Sequence, residues 1–414
     1  MKRKLRLFYA AGPGDIVGTF HHWREGRDDP SQVSVTYSSQ FWNVCDQLGA
    51  ESFAVSSHST SDLLIDGSFR IENRPKLLGG ARGLAYHLGA LCYGLWLIAS
   101  MVRFRADFAV IAEGTTHWFL FGFLRVFGIQ VIPTIHCVLW PKYQAPGRTQ
   151  HLLNALNRLL FFKTQSHAIL SASRDITAQL QELGATGHII QFFPTYRQAI
   201  FDGIVGPPAP DPFRVLFAGR IEENKGVFTV LEIACRYRAN DVSGFVFDIC
   251  GTGSALAELR ERGERAALGT TFECHGHCSR EVMREMFNRC HVVLVPTTTN
   301  FNEGFNQVVV EGVLAGRPVI TSSVCPALET VRDAVTEVGP NDSAGYYDAI
   351  LNLRMDQALY ERKRRACVDY QNQFYDEANG WAAALNSALS TRNECLAADS
   401  LGAASHAGPE EGAV

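Results

Sequence analysis

Short apolar runs of strand length alternate along the chain with helix-length segments whose apolar positions recur every three or four residues. In the first half the runs are LRLFYAA, SFAVSS, DFAVIAEG, QVIPTIH, HAILSAS and HIIQFF. Most are apolar on both faces, as strands of a parallel sheet covered by helices on either side must be. The pattern predicts a doubly wound α/β unit. It breaks at GIVGPPAPDPF, Gly203 to Phe213, where four prolines and two glycines make a stiff linker. The alternation then restarts with RVLFAGR, a helix from about Gly226, FVFDICGTGS, a helix from about Ser254, TTFECHGHC, a further helix, CHVVLVPT, the apolar run GFNQVVVEGVLAGRPVI, and RPVITSS.

The expected organisation is therefore two Rossmann-like domains, 1–202 and 214–375, joined by the linker 203–213 and facing each other across a cleft. A terminal helix is expected over 376–392 and a disordered tail, rich in Ala, Gly and Ser, over 393–414. In such sheets ligands bind beyond the carboxyl ends of the strands. The notable motifs all fall just after a strand.

One segment strains the pattern. Gly83 to Phe104 has no acid or base between Leu84 and Val102 and approaches the length of a membrane span, about 20 residues. It holds His87 and three glycines, and a strand follows at once, so a buried helix is the first expectation. The second is a helix on a membrane surface, with Arg82, Arg103 and Arg105 at the headgroups.

Composition adds bounds. The 414 residues are 46% hydrophobic and 19% charged, with a net charge of -4. No global basic field points to nucleic acid. The start, MKRKLRLFYAAGPGD, reads as a first strand and not a secretory leader, because Arg6 interrupts an apolar stretch that ends at a Gly/Pro turn. The 11 cysteines are then expected as reduced thiols in the cytoplasm. The run Arg362 to Arg365 reads as a solvated helix face.

Chemistry enters with FAGRIEENKG. Gly219 allows a sharp turn after a strand, and Arg220 and Lys225 can converge near a helix start, a place suited to a diphosphate. Alternatively they are solvated cations on a surface turn. Glu303 and Glu311 bracket the next motif. On one helix they would lie about 12 Å apart along the axis, whereas glycosidase carboxylates stand roughly 5–9.5 Å apart. A hydrolytic pair fits poorly. A helix beginning near Phe305 would leave Glu303 in the preceding loop, with free amides facing the cleft. Glu311 would then hydrogen-bond a buried polar ligand such as a ribose, or pair with an unidentified base.

GRIEENKG, FDICGTGS and NEGFNQVVVEGVLAGRPVI together resemble the C-terminal half of the family 4 glycosyltransferases, from about Val215 to Ser323. The resemblance implies a GT-B fold and a retaining sugar transfer from a UDP-, GDP- or ADP-sugar to a hydroxyl. The apolar, arginine-flanked segment near Gly83 to Arg105, with HWFLFGFLRVFG after it, would suit an acceptor that is a lipid-linked glycan or polysaccharide precursor at the inner membrane face. It implies that Arg220 and Lys225 hold the diphosphate and that Glu311 binds the ribose. Glu303 would lie against the donor sugar, and the amides of Gly304, Phe305 and Asn306 would hold hydroxyls or phosphate. Backbone near Gly276 and Cys278 would meet the base, Gly14 would approach the phosphates, and His136 would stand near the reacting sugar. Two departures stand out: Asn306 replaces a frequent glycine, and FFPTYRQ replaces an N-G motif.

Other signals are weaker. GPGDIVG is a loose relative of a dinucleotide fingerprint, with wrong spacing and a central proline. CHGHC lacks further ligands for zinc. No Asp-x-Asp is present, so no metal is expected, and basic side chains and helix ends must neutralise the leaving group. Two rivals remain on the same fold. One is a nucleotide-sugar epimerase, and the other is a degenerate scaffold that would be expected to lose the phosphate and ribose contacts.

Overall fold

The structure, a computed structural model, describes residues 3–164, 168–207 and 209–390; the tail over 393–414 lies outside them. In the first lobe β1 (Arg6–Ala10), β2 (Glu51–Ser56), β3 (Asp62–Asp66), β4 (Phe69–Asn73), β5 (Phe108–Ile111), β6 (Gln130–Ile135), β7 (Ala168–Ser171) and β8 (His188–Gln191) form one sheet. Their order is β3-β4-β2-β1-β5-β6-β7-β8, and only the β3–β4 pair is antiparallel. The second sheet holds β9 (Phe213–Ala218), β10 (Phe245–Cys250), β11 (Phe272–Gly276), β12 (Val292–Val295), β13 (Val319–Ser322) and β14 (Val335–Val338). It is wholly parallel, in the order β11-β10-β9-β12-β13-β14.

The central strands are apolar because they are covered on both sides. Leu7 to Ala10 on β1 and Phe108 to Ile111 on β5 are buried without a break. The same holds for Phe245 to Cys250 on β10, where Asp248 is the one charge. Right-handed crossovers fix which helix covers which face. Steps toward β8 place Gly83–Phe104, Trp118–Phe127 and Arg148–Asn157 on one face of the first sheet. Steps toward β3 place Ile16–Arg24 and Tyr37–Gln47 on the other. The helix over 381–390 returns to the first lobe, where Trp381 packs between Tyr9 and Tyr37 at ring separations of 5.8 and 5.9 Å.

The helix Gly83–Phe104 departs from the first expectation. It is not sunk in a core: Gly89, Tyr93, Gly94, Leu97 and Met101 face the protein, and the opposite side is open. Its burial is that of an outer-layer helix on a sheet, which has only one face to cover. In the Arg362 to Arg365 run, Lys363 turns inward and donates to the Val335 carbonyl at 2.6 Å.

All strands in both sheets except β3 run parallel within their sheet, so each sheet has one carboxyl edge. The two edges face each other. Tyr143 and Ser323 exchange a hydrogen bond across the gap, as do Gln144 and Asn300. Arg280 donates to the carbonyls of Asp29 and Gln32 at 3.3 and 2.7 Å.

Candidate active site

The loop after β9 is shaped by its own strained Gly219 and by two glycines of the loop after β10 that leave no room for a side chain. Gly219 and Gly251 both have φ of +140°, and a methyl on Gly251 would overlap the Gly219 carbonyl. A methyl on Gly253 would overlap that of Ile221. The FDICGTGS glycines therefore let the loop after β10 lie against the loop after β9, tied by Ile221 N to Thr252 O at 2.9 Å and Ala255 N to Ile221 O at 3.0 Å. This joint presents Arg220 outward and sets the single turn Glu223–Lys225 ahead of the helix Val227–Ala239.

Arg220 and Lys225 do converge, on a residue that the sequence reading overlooked. The Lys225 ammonium sits 3.8 Å from the Phe301 ring centroid and the Arg220 guanidinium 5.6 Å from the same ring. The negative ring face lets two like charges share a small volume. Each cation also has a carboxylate: Arg220 meets Glu222 at 3.2 Å in the open, and Lys225 donates to Glu303 Oε2 at 2.7 Å under cover. The exposed pair contributes little to stability. The covered pair fixes where the ammonium stands.

Glu303 lies in the loop before the helix Gln307–Leu314 and is buried. Besides Lys225, it accepts from Asn306 Nδ2 at 2.9 Å and from the Gly304 amide at 3.2 Å. Asn306 adopts φ of +66°, a left-handed conformation that asparagine tolerates far better than branched residues. Its Nδ2 also reaches Thr297 Oγ1 at 3.3 Å. The Phe305 ring is an anchor and faces away from the gap: it packs on Phe193 and Phe374 at 6.0 and 6.4 Å.

Glu311 stands in the second turn of that helix, buried, and no hydrogen bond or ion pair to its carboxylate is formed among the described residues. The alternative of a buried ion pair is therefore not realised. Burial pushes its carboxyl up to about 7, the direction expected when a charge loses water and gains no partner. Beside it, the buried Tyr196 hydroxyl is also unpartnered. It is held far above the usual phenol range, first by burial and then by the Glu311 charge.

From the first lobe, His136 follows β6 and stacks on Tyr37 at 4.5 Å, with Phe192 edge-on at 5.6 Å. Its Nε2 is sealed from solvent without a partner, and burial lowers its pKa to about 4, so the ring is neutral at physiological pH. Gly304 lies directly against the His136 carbonyl: a methyl there would overlap it. Thus the loop that carries Glu303, Gly304 and Asn306, with Lys225 paired to it, meets His136 across the gap.

The other expected residues are placed less tightly. Gly14 stands at the same edge of the first sheet, two strands from β6, and a methyl on it would meet nothing within 4 Å. Gly276 closes β11, with its carbonyl taken by the Gly251 amide at 2.7 Å and approached by the Cys278 thiol at 3.5 Å. The ligand atoms of Asp248, Glu273 and His275 gather within 4.8 Å. Asp248 there already holds Arg214 and Arg289 at 2.9 and 2.6 Å, which fills the place of a cation.

The departure FFPTYRQ lines the floor of the site. Phe192 backs His136, Phe193 packs on Phe305, and Tyr196 lies by Glu311. One stretch therefore supports site residues of both lobes.

Comparison with known proteins agrees with this arrangement. Residues 205–373 match the profile of the family described as Glycosyl transferases group 1. A glycogen synthase of Mycobacterium tuberculosis is 25% identical over 251 residues, which are 58% of this chain and 58% of that one. A D-inositol 3-phosphate glycosyltransferase of Streptomyces avermitilis is 27% identical over 228 residues, 53% of this chain and 47% of that one. The chain thus spans about half the length of the curated relatives it matches. Among solved structures, sucrose-phosphate synthase from Thermosynechococcus elongatus superposes with a TM-score of 0.67 at 16% identity, over 95% of this chain and 100% of that one. A trehalose-6-phosphate protein from E. coli, solved with UDP-2-fluoro glucose, gives 0.66 at 14% identity, over 92% and 98%. Anabaena HepE, solved with UDP and glucose, gives 0.61 at 12% identity, over 94% and 99%. These likenesses are of fold: two facing parallel-sheet domains in the GT-B arrangement.

Proposed function

We propose that the chain is a retaining, metal-independent glycosyltransferase of the family 4 type, moving a sugar from a nucleoside diphosphate donor to a hydroxyl. The acceptor in this reading is a lipid-linked glycan or polysaccharide precursor, and the work is done in the cytoplasm. The observation that carries the reading is the meeting of Arg220, Lys225 and Glu303 at one carboxyl edge, opposite His136, with the unpartnered Glu311 on the helix that follows. The match to the group 1 family and the nucleotide-containing neighbours support it.

In this mechanism the transition state puts positive charge on the sugar ring and negative charge on the departing diphosphate. Lys225 and Arg220 face the growing negative charge with fixed cations, which is where preorganised electrostatics lower a barrier. Glu303 holds the ammonium in place and lies beside the sugar as a positioning group. The ionised Glu311 accepts the two ribose hydroxyls, which supply the partners its carboxylate lacks. Neutral His136 hydrogen-bonds at the reacting sugar and takes no part as a cationic acid. The acceptor attacks from the leaving-group side, its proton passing to the departing phosphate oxygen, so no protein base is needed. Exclusion of water as the lobes meet protects the donor.

Thermal-shift screening against UDP, GDP, ADP and their sugars tests the reading. One nucleotide class should raise the melting temperature, since a ligand at 100 times its Kd stabilises by about 2.7 kcal/mol. Failure of every class would overturn it. Incubation of the donor alone should yield no epimer, and a chelator should leave transfer to the acceptor unchanged.

A further inference from the structure

Three consecutive crossover elements on one face of the first lobe carry apolar side chains that no described residue covers. On the helix Gly83–Phe104 the outward positions Leu84, Leu88, Cys92, Leu95 and Ala99 form a stripe opposite the buried one, and Leu84 is 88% exposed. On Trp118–Phe127, Phe123, Val126 and Phe127 are open, Val126 by 77%. After the helix Arg148–Asn157, Leu159 and Leu160 are open, together with Leu152 at 62%. The elements lie side by side. Gly94 lies close against the Leu120 side chain, Gly122 has no room for a methyl against the Leu160 carbonyl, and Trp118 stacks on Phe161 at 5.6 Å. The exposed apolar residues therefore sit on neighbouring elements, in contrast to the single scattered ones normal on a soluble protein.

Charge is segregated onto the same stretch. From Asn73 to Arg174 the sequence holds 11 of its 38 Lys and Arg but only 2 of its 42 Asp and Glu. Both acids are spent internally. Glu113 is buried on Lys76 at 2.5 Å, and Asp107 meets Arg3 and the Arg6 amide. Arg82 and Arg103 stand at the two ends of the apolar helix, and Arg125 and Arg158 sit among the leucines and phenylalanines. None of these four forms an ion pair among the described residues, and all are exposed. A molecule that is acidic overall thus turns an apolar, cationic face outward.

We propose that this face docks on an anionic lipid surface, with Gly83–Phe104 lying in the interface plane. Apolar residues along one side of a helix, bracketed by free arginines, suit the boundary between headgroups and acyl chains. The helix does not span, because its other side, with Tyr93, Leu97 and Met101, is built into the sheet's cover. A protein partner would find unpaired arginines embedded in the patch, whereas phosphate headgroups pair with each of them. The docked face adjoins the site: His87, near the helix start, contacts His117 at 3.1 Å in the segment that follows β5 at the carboxyl edge. A lipid-borne acceptor would then enter from the membrane side; that corollary rests on the proposed activity, and docking does not.

Flotation of the full chain with vesicles tests the inference. Vesicles of phosphatidylcholine alone and with about one third phosphatidylglycerol are compared at low and high salt. The chain should float with the anionic vesicles, weakly with the neutral ones, and less at high salt. Arg125→Glu with Arg158→Glu should lower the partition by roughly thirtyfold. Leu88→Gln with Leu95→Gln and Val126→Gln should lower it at least about tenfold. These positions are exposed, so unchanged melting and nucleotide binding would show that the variants fold and that the donor site is independent. A chain that stays in the soluble fraction with anionic vesicles overturns the proposal. So does equal flotation with neutral vesicles that ignores the charge reversal. Self-association lost in the glutamine variant, with no flotation, would assign the face to a second copy instead.

Discussion

Lys225 and Glu303 are 78 residues apart and meet at 2.7 Å, binding the loop after β9 to the loop before the helix Gln307–Leu314. The contact is largely shielded from water, and the same ammonium rests on Phe301. Each partner determines where the other stands. Lys225→Ala should therefore reduce turnover by about 10² to 10³, the scale for one lost group facing transition-state charge. It should also lower stability by about 1–3 kcal/mol, because Glu303 is left without its cation. Arg220→Ala should cost similar activity and almost no stability, since its ion pair is exposed. Rates at saturating donor and denaturation midpoints check both.

Glu311 predicts a pH signature with two opposite signs. Burial lifts its carboxyl to about 7 from an ordinary 4.5. The unfolded chain releases this proton near 4.5 while the native state keeps it to about 7. The contribution of Glu311 to stability is therefore fully present below 4.5 and is lost, by about 3 kcal/mol, as pH rises through 7. Nucleotide binding runs the other way, because ribose hydroxyls need the ionised acceptor, and should weaken about tenfold per unit below pH 7. Glu311→Gln should flatten the binding curve and remove this group's share of the stability curve. Denaturation and nucleotide titration at pH 5, 6.5 and 8 read them out.

His136 is held to about 4 by burial, below the ordinary 6.5. The native state resists the proton that the unfolded chain accepts, so stability is lost as pH falls from 6.5 to 4, by about 3 kcal/mol. His136→Phe keeps an aromatic ring between Tyr37 and Phe192 and removes this loss, so it should be the more acid-resistant protein. Its turnover should drop by roughly tenfold to a hundredfold, the scale of one hydrogen bond to a charged state. A variant that kept full activity would remove His136 from the reaction.

Gly304→Ala should act by forcing the two lobes apart, with no reacting side chain removed. The added methyl overlaps the His136 carbonyl, which is backbone and cannot swing aside, so the two edges must part. Transfer should fall at least about tenfold, since near-contact geometry is what positioning supplies. The melting of each lobe should be nearly unchanged. Small-angle scattering should show a larger radius of gyration than the parent.

Much of this was legible in the chain because it is written locally. Buried parallel strands must be apolar throughout, so β1, β5, β9, β10 and β12 declared themselves. Gly219 and Lys225 marked a turn and a helix start by their own chemistry. What escaped was polar or remote. The β3–β4 hairpin alternates as DLLIDGSFRIEN, and its Asp66-Gly67 turn was the signal to read; β14 is only four residues long. Phe301 looked like any loop aromatic, since its role depends on two cations brought from β9. The helix Gly83–Phe104 could not be assigned a depth, because hydropathy does not say whether one side or both find protein. FFPTYRQ lacked a function until both lobes were seen resting on it.

Phe192 and Phe193 are consecutive, yet one ring belongs with His136 and the other with Phe305 and Phe374. A backbone that changes allegiance across a single peptide link leaves no slack at the bottom of the crevice. Any swing of one half against the other would pivot there, under the Glu303 and His136 loops, and travel furthest at the outer lips. In the proposed reaction, a spent nucleotide would then slip out while the sugar's seat is never rebuilt from one cycle to the next.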